Sequence, residues 1–302
     1  MDLKSKIILI SGPTSSGKSN FALKLAQRIN GEIVNADSMQ VYKELKILTA
    51  RPKPNEQKKI PHHLYGFHSV KKKFSSGAWL KFTNDKIIQI RERKKLPILV
   101  GGTGLYFKAL TNGLVKITRI SLKNRNKVRN IHKKLGQKNF YIKLIKLDPL
   151  IKKIIDPNDV QRSIRAYEVK TFTKKSIIDW YKNTKSIYEE SDFFKIYIDF
   201  PREELIKRIN ERTSLMLKEG AIQEVKNFIK LRVKKDNSSN KVIGVNEIRD
   251  FLKNKLDLDE VKELISIKTR QYAKRQSTWA RGQMQDWNKL DPKDINKFLK
   301  KI

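Results

Sequence analysis

The sequence of 302 residues contains no cysteine, so it can form neither a disulfide bond nor a metal site with thiolate ligands. Long hydrophobic runs are missing as well: the first apolar run covers only residues 7–10, whereas a membrane-spanning helix needs ~18 apolar residues. Because that run leads directly into a glycine-rich segment, it is not a signal peptide. We therefore expect a cytoplasmic protein without a membrane partner.

Acidic residues are scarce relative to basic ones. The 31 Asp and Glu residues oppose 67 Lys and Arg residues, which gives a formal net charge of +36. Such an excess favours polyanions, since nucleic-acid binding releases condensed counterions. The chain is also rich in Asn and Ile, as AT-rich coding would make it, so charge alone supports a nucleic-acid partner only in part. With 38% hydrophobic residues, the chain can form one large globular domain or two smaller ones.

The most informative segment is a complete G-x-x-x-x-G-K-[ST] phosphate loop between a strand-like apolar run and an amphipathic, helix-like stretch. Its residues are Gly12, Pro13, Thr14, Ser15, Ser16, Gly17, Lys18 and Ser19. Backbone N–H groups of such a loop surround a phosphate, Lys18 adds a positive charge, and the Ser19 hydroxyl suits Mg²⁺. The motif predicts binding of a di- or triphosphate, as in nucleotide- and ATP-binding proteins, and leaves the reaction open. A glycine turn with a surface lysine is the structural alternative.

Strands and helices alternate in the first part of the chain. We predict strands at 7–11, 32–36 and 96–100 and helices at 20–29 and 79–94. This order is typical of a parallel sheet covered by helices. Helical patterns and basic residues predominate afterwards, until a strand begins at Lys195. The predicted fold class is therefore α/β: a phosphate-loop core of parallel strands at 1–115 and 195–302, with a mainly helical insertion at 116–194.

Two further segments directly follow predicted strands, where parallel sheets place functional side chains. Asp37 follows the second strand and is equally compatible with a metal ligand or proton acceptor and with a helix N-cap. The turn Gly101-Gly102-Thr103-Gly104 permits close approach to its backbone, and the Thr103 hydroxyl can bond a bridging oxygen. A tight strand-to-helix turn would have the same composition.

The paired histidines His62 and His63 are the remaining candidates for a metal site. Adjacent residues on extended backbone point to opposite sides, and no third ligand follows at a useful spacing. We therefore interpret them as structural or as part of a substrate wall.

Two arginine-bearing segments predict a second polyanion site. In the insertion, Gln161 and Arg165 lie one helical turn apart, with Arg162 between them. Near the C-terminus, one predicted helix combines cations, glutamines and aromatic residues: Arg270, Lys274 and Arg281, with Tyr272 and Trp279 as core anchors or stacking platforms. A solvated basic face is the alternative, but the interleaved glutamines and aromatics are more typical of nucleic-acid recognition.

Together these segments resemble the tRNA dimethylallyltransferase (tRNA isopentenyltransferase) family in its bacterial form. Matching segments follow the family's order over nearly the whole chain: 12–19, 35–42, 49–52, 61–63, 99–106, 156–159 and 274–279. The phosphate loop is common to other families, whereas 37–42 and the Lys-Arg-Gln-x-x-Trp segment at 274–279 are specific. The chain departs from the family at Val245, where a tyrosine is usual after Gly244, and around Gly66, where an aspartate is common. No C-terminal zinc finger is expected, as in the bacterial branch.

The resemblance implies transfer of a dimethylallyl group from its diphosphate to the exocyclic N6 amine of the adenine adjacent (3′) to a tRNA anticodon, with release of diphosphate. The phosphate loop would hold this diphosphate rather than ATP, with Mg²⁺ at Ser19 and a further grip from Arg212. Asp37 matches the family's general base, and Thr103 matches its hydroxyl near the reacting centre. Arg125 matches a position that stabilises the transition state or faces tRNA, and Arg129 is the alternative for that position.

The same resemblance implies which residues contact the anticodon stem-loop. They fall into three segments: Asp37, Ser38, Met39 and Gln40; Gln161, Arg162, Ser163, Ile164 and Arg165; Lys274, Arg275, Gln276, Ser277, Thr278, Trp279, Ala280 and Arg281. Besides tRNA and dimethylallyl diphosphate we expect no partner, and the protein is expected to be a monomer.

Three other functions account for parts of the sequence. A phosphate-loop kinase of small molecules or nucleotides explains residues 7–37 but not the late cationic helix. An enzyme that prenylates free AMP or ADP would keep the chemistry but would not need the basic insertion. A non-enzymatic RNA-binding module would leave Asp37 and Thr103 without a task.

Overall fold

The computed structural model describes residues 3, 5–115, 117–118, 120–182 and 184–302. Their contacts define two compact units, one formed by 1–111 with 188–302 and the other by 112–187. Lys116, where the predicted insertion begins, lies outside the described residues. The predicted end of the insertion at 194 is too late, because Tyr188 already packs on Phe193 in the sheet unit, with ring centroids 5.8 Å apart.

The first unit is built on a parallel sheet. Its strands are β1 (Ile7–Ser11), β2 (Gly31–Asn35), β3 (His62–His63), β4 (Leu96–Gly101), β5 (Phe193–Ile198) and β6 (Asn288–Leu290). They form one six-stranded sheet in the order β3-β2-β4-β1-β5-β6, and all five pairings are parallel. The α/β class predicted from the sequence is confirmed, and β1 with its phosphate loop lies inside the sheet.

Helices surround this sheet and make up the second unit. The first unit contains α1 (Lys18–Arg28), α2 (Pro54–Lys59), α3 (Ser76–Glu92), α4 (Gly104–Thr111), α8 (Arg202–Lys218), α9 (Ala221–Lys230), α10 (Val245–Phe251), α11 (Leu258–Gln283) and α12 (Ile295–Lys300). The second unit contains α5 (Leu122–Leu147), α6 (Val160–Thr173) and α7 (Ile177–Lys182). Among the described residues, no helix is long and apolar enough to cross a membrane.

Both faces of the sheet are buried, which explains why its strands are continuous apolar runs. Successive residues of β1 point to opposite faces. Ile8 belongs to one apolar cluster together with Phe21 of α1, and Leu9 belongs to another together with Trp79 of α3. A third cluster joins the segment after β2 to α9, α10 and the first half of α11.

The strand predicted to begin at Lys195 begins two residues earlier. β5 begins at Phe193, because Phe193 already pairs with Ile7 of β1. Lys195, which resembled the polar start of a strand, is a buried position inside it. Its ammonium is held by ion pairs with Glu190 and, at 2.6 Å, with Asp286.

The second unit has its own apolar core between α5 and α6. Phe140 of α5 lies against Tyr167 of α6, with ring centroids 5.0 Å apart, and both side chains are buried. Gly136 interrupts α5 with a left-handed backbone, φ 69°. None of the described residues of this unit is in a strand, in agreement with the predicted helical insertion.

Candidate active site

The phosphate loop connects β1 to α1 and has the backbone of an anion site. Ser15 and Gly17 both adopt left-handed φ angles, 65° and 82°, which turn successive N–H groups to one side. Within the described residues, α1 has neither a side-chain cap nor an acidic residue in its first turn, so its first N–H groups remain available. The Ser15 and Ser16 hydroxyls are buried there without a hydrogen-bond partner in the described part of the chain. These groups fit a phosphate.

Three predicted charges come together at this loop. Burial lowers the pKa of Lys18 to about 8, while Asp37 raises it and Arg212 lowers it. Burial also lowers the pKa of Arg212, again opposed by Asp37. Lys18 donates a hydrogen bond to the Pro13 carbonyl at 3.1 Å. The carboxylate of Asp37 thus lies close enough to two half-buried cations to influence both.

Arg208 is a loop contact that sequence reasoning missed. It lies one helical turn before Arg212 on α8, donates to the Ser15 carbonyl at 3.5 Å and covers the Phe200 ring at 4.5 Å. An arginine on one of many basic helices carries no motif, so only its i, i+4 spacing to Arg212 could have indicated it.

Asp37 is held in a turn at the carboxyl end of β2. The Asn35 side chain accepts the Asp37 N–H at 2.8 Å and donates to the Asp37 carbonyl at 3.0 Å. One carboxylate oxygen, Oδ1, accepts the Met39 N–H at 2.8 Å. No helix begins here, since the described residues 36–40 form a turn, so the helix-cap alternative is wrong. No described residue hydrogen-bonds the other carboxylate oxygen, Oδ2.

Thr103 is joined to the segment that carries Asp37. Its N–H donates to the Ala36 carbonyl at 3.2 Å, and its hydroxyl oxygen accepts the Ser38 N–H at 2.9 Å. A Cβ at Gly101 would lie 2.1 Å from the Ala36 carbonyl oxygen, so only glycine permits this approach. The turn at 101–104 therefore places the Thr103 hydroxyl beside the residue that follows Asp37.

A cavity of about 290 Å³ lies between these turns and α11. Its lining includes Gly12, Ser38 and Thr103 on one side and Tyr272, Gln276 and Trp279 of α11 on the other. Burial raises the pKa of Tyr272, Asp37 raises it further, and hydrogen bonds to Thr103 and Gln276 oppose the rise only in part. The Tyr272 phenol is consequently a neutral group in the wall of this cavity, a role not foreseen from the sequence.

The predicted tRNA-contacting stretch of α11 has two faces. Lys274, Arg275, Thr278 and Arg281 are exposed, whereas Gln276, Ser277 and Trp279 are half-buried and Ala280 is buried. A second cavity, of about 650 Å³, opens between α8 and α11 and is lined by four cations, Arg202, Arg270, Lys274 and Arg281. The cations predicted on one helical face therefore do share a surface, and the aromatic Trp279 lies on the other side.

The predicted contacts at 38–40 are partly engaged within the protein. Ser38 lines the smaller cavity, and Met39 packs partly against the third apolar cluster. The Gln40 side chain donates to the carbonyls of Thr49 and Ala50 at 2.9 and 3.1 Å.

In the second unit, the segment 161–165 forms the first turns of α6. Gln161 and Arg162 are exposed, and Arg165 is half-buried. Ser163 is fully buried and its hydroxyl accepts a hydrogen bond from the Gln137 amide at 3.2 Å, while Ile164 packs on the core of this unit. Three of the five predicted contacts thus present polar groups at the surface.

Glu168, a buried acid of α6 that sequence reasoning passed over, lies beside two of the predicted arginines. It accepts a hydrogen bond from Arg165 at 3.2 Å, and the Nε of Arg125 lies 4.0 Å from the same carboxylate oxygen. Arg129, the alternative to Arg125, is exposed one turn further along α5. The geometry therefore distinguishes Arg125 as the oriented arginine.

The paired histidines serve the structure. His63 lies 2.6 Å from the buried Glu32 carboxylate, which also binds Arg93 at 2.6 Å, and His62 contacts the Ile60 carbonyl at 2.7 Å. Among the described residues, no three His, Asp or Glu side chains are grouped so as to hold a metal ion. The substrate-wall interpretation of the pair has no support from these contacts.

The two departures from the family pattern are explained by packing. Val245 is fully buried in the third apolar cluster, directly after Gly244, whose φ of 101° requires glycine. A Cβ at Gly66 would lie 1.6 Å from a guanidinium nitrogen of Arg51. The Arg51 side chain thus occupies the space that a larger residue would need at position 66.

The chain is similar to proteins of one name over nearly its full length. The family model described as IPP transferase matches residues 40–283. A tRNA dimethylallyltransferase of Pelagibacter ubique is 63% identical over 302 residues, which cover 100% of this chain and 96% of that protein. The corresponding protein of Agrobacterium fabrum is 40% identical over 294 residues, 97% of this chain and 99% of that one.

The fold is also similar to solved structures of enzymes with related names. A tRNA isopentenylpyrophosphate transferase from Bacillus halodurans superimposes with a TM-score of 0.70 at 32% identity, covering 98% of this chain and 95% of that one. A eukaryotic dimethylallyltransferase acting on tRNA gives a TM-score of 0.82 at 30% identity, covering 95% of this chain and 73% of that chain.

A phosphate loop with two cations and a carboxylate close to it, beside a cavity lined by Gly12 and Thr103, is the site of a group-transfer enzyme with a phosphate-loop α/β fold. The similarity over the whole chain narrows this class to one family. The chain belongs to the IPP transferase family, and it is a prenyltransferase.

Proposed function

We propose that the protein transfers a dimethylallyl group from dimethylallyl diphosphate to the N6 amine of the adenine adjacent (3′) to the anticodon of tRNA, and that diphosphate is released. Transfer of a dimethylallyl group to tRNA is the activity of the relatives by name. One observation supports the proposed donor and acceptor groups best. The side chains of four residues lie together at the carboxyl ends of β1, β2 and β4: Lys18, Arg212, Asp37 and Thr103.

The loop and its cations suit an allylic diphosphate because its leaving group gains negative charge as the C–O bond breaks. Lys18 and Arg212 can stabilise that charge, together with loop N–H groups and the unpartnered hydroxyls of Ser15 and Ser16. The exposed Ser19 hydroxyl at the first turn of α1 fits a Mg²⁺ ion, which keeps most of its ligands from water and phosphate. When bound there, Mg²⁺ would neutralise further charge on the diphosphate.

Asp37 and Thr103 are the residues that act on the acceptor, the adenine amine. The adenine nitrogen forms a bond to the allylic carbon while the diphosphate oxygen leaves, and the amine then loses a proton. Oδ2 of Asp37 is the acceptor for that proton, since Oδ1 already binds the Met39 N–H. The Thr103 hydroxyl, held by Ser38, can orient the reacting groups.

The RNA side of the proposal uses two basic surfaces, one in each unit. One is the exposed face of α11 with the cation-lined cavity beside it, and the other contains Arg162, Arg165 and Arg125. Arg162 is exposed, and Arg165 and Arg125 are half-buried; arginines and lysines at a surface are typical phosphate contacts. Taking the adenine out of its stack costs a few kcal/mol, by analogy with base flipping, and a grip on the anticodon stem-loop would offset that cost.

The direct test is incubation with dimethylallyl diphosphate and unmodified tRNA, followed by nucleoside mass analysis. We expect one adenosine next to the anticodon to gain one dimethylallyl group, and Lys18→Ala to abolish this gain while tRNA binding persists. Phosphoryl transfer from ATP to a small acceptor would instead identify a kinase. Prenylation of free AMP or ADP without prenylation of tRNA would identify an enzyme that modifies free nucleotides.

A further inference from the structure

We infer that Gln276 is a positioning residue that couples occupancy of α11 by RNA to the state of the phosphate loop. The inference rests on the proposed function and deepens it, because it assigns to a residue of the predicted tRNA-contacting segment a role in binding the diphosphate.

The carboxamide of Gln276 joins two backbone segments that are remote in sequence. Its Oε1 accepts the N–H of Thr14 in the phosphate loop at 2.8 Å, and its Nε2 donates to the Gly102 carbonyl in the turn at 101–104 at 2.9 Å. Tyr272, one helical turn earlier, lines the same cavity as Gln276. One side chain of α11 therefore fastens the phosphate loop to the turn that carries Thr103.

The contact is close enough to be specific for this side chain. A Cβ at Gly102 would lie 2.0 Å from Gln276 Nε2, so the amide rests directly on the backbone of the turn. One turn further along α11, a Cβ at Gly104 would lie 2.3 Å from the Trp279 ring. α11 therefore packs closely on the turn at 101–104, at both Gly102 and Gly104.

The residues next to Gln276 are accessible from outside. Lys274, Arg275 and Thr278 are exposed; Lys274 lines the cavity between α8 and α11, whereas Arg275 lines the smaller cavity together with Gln276. A polyanion bound by the exposed residues of α11 contacts the same helix whose Gln276 side chain binds the backbone of Thr14 and Gly102. Binding of RNA and binding of diphosphate should consequently influence each other, and thermodynamic linkage makes that influence equal in both directions.

The test is a titration with inorganic diphosphate and constant Mg²⁺, without RNA and with a saturating unmodified anticodon stem-loop. For the unaltered protein we expect the stem-loop to tighten diphosphate binding by about five- to a hundredfold, the usual range of such coupling. The variant Gln276→Met keeps the length of the side chain and removes both backbone bonds. It should weaken diphosphate binding without RNA and reduce the effect of the stem-loop to about twofold or less.

Two further variants make the result specific. Gly102→Ala displaces the same amide from the opposite side, so its defect should not add to that of Gln276→Met. Lys262→Gln alters an exposed residue of the same helix that lines neither cavity and should leave both titrations unchanged. Thermal unfolding of each variant checks that the fold is retained.

The outcomes separate this inference from the function on which it rests. If Gln276→Met weakened stem-loop binding but left diphosphate binding at the unaltered level, Gln276 would be a direct RNA contact and the coupling role would be wrong. Additive defects of Gln276→Met and Gly102→Ala would also overturn it. Failure of the unaltered protein to bind diphosphate at all would overturn the proposed function itself.

Discussion

Arg165 and Glu168 form a hydrogen-bonded ion pair across one turn of α6, with an N–O distance of 3.2 Å. The carboxylate is nearly fully buried while the guanidinium is about one-third exposed, so the acid holds the arginine at the surface rather than burying it. The same carboxylate oxygen lies 4.0 Å from Nε of Arg125, an atom without a hydrogen-bond partner among the described residues. Glu168 therefore holds Arg165 in advance of any ligand and lies at ion-pair distance from Arg125.

We predict that Glu168→Gln weakens binding of the anticodon stem-loop about twofold to tenfold. Each arginine that has to be ordered on binding costs about 0.5–1.5 kcal/mol, and the buried acid supplies that order beforehand. Direct titration with the stem-loop measures the effect, and KM for tRNA should rise with it. Removal of a negative charge would by itself tighten RNA binding, so unchanged or tighter binding would contradict this role of Glu168.

The matched control for Glu168→Gln is Asp159→Asn. It removes an acid from the N-cap of the same helix, where Asp159 lies 3.4 Å from the exposed Arg162 guanidinium. Asp159 also accepts the Arg162 N–H at 2.9 Å, and asparagine caps a helix equally well. Because exposed pairs contribute about 0.2–1 kcal/mol at most, we expect stem-loop affinity to change less than in Glu168→Gln.

Asp37→Asn should slow prenyl transfer by ~10²–10⁴-fold, the usual loss when a general base is removed. Asparagine retains an oxygen for the Met39 N–H, so the turn that carries residue 37 should persist. Single-turnover transfer to tRNA measures the rate. Diphosphate affinity, measured well below the Lys18 pKa of about 8, serves as the control and should be unchanged or higher, because one negative charge has left the site. A rate equal to that of the unaltered protein would restrict Asp37 to a structural role.

Residues that act through local backbone could be predicted from the sequence. β1, the phosphate loop and the start of α1 follow from one motif, because its glycines and flanking residues prescribe the backbone. Asp37 was found at the end of β2 for a similar reason, although its position alone left a cap and a base equally open. The turn that the described residues 36–40 form, without a helix after Asp37, then excluded the helix cap.

Roles that depend on contacts between remote segments could not be predicted. Gln276 stands among cations, where a glutamine indicates nucleic-acid contact, yet its partners Thr14 and Gly102 are 262 and 174 residues away in sequence. No sequence pattern distinguishes Glu168 from other glutamates on helices, and only the packing of α6 on α5 brings it close to Arg125. Helical periodicity did identify the exposed cations of α11, because that pattern is local.

We predict that the double variant with Lys274→Gln and Arg281→Gln lowers the salt dependence of tRNA binding. The log–log slope should fall by roughly 0.7–0.9 for each RNA phosphate that the variant no longer neutralises. Both side chains are exposed on α11 and line the cavity between α8 and α11. Lys262→Gln, an exposed lysine earlier on the same helix, controls for net charge and should leave the slope unchanged. Equal slopes in the double variant and the unaltered protein would place the RNA elsewhere.

Binding of inorganic diphosphate should weaken as the pH rises through about 8, where the Lys18 ammonium loses its proton. Burial lowers this pKa from its ordinary value of 10.5, so the neutral amine gains population within the working range. A bound anion favours the ammonium, so above pH 8 binding takes up a proton and affinity falls by up to about tenfold per pH unit. Calorimetric titrations from pH 6.5 to 9.5, at constant Mg²⁺, measure both effects.

Two variants decide whether Lys18 is the titrating group. Lys18→Ala should bind weakly, and its remaining pH dependence reports the ionisation of the ligand itself. Asp37→Asn should shift the midpoint to lower pH, because the Asp37 carboxylate raises the pKa of Lys18. Parallel profiles of the unaltered protein and Lys18→Ala would show that another group titrates. The shift in Asp37→Asn further requires that the two side chains interact as the geometry of the loop indicates, so one set of titrations tests both the cation and its neighbouring carboxylate.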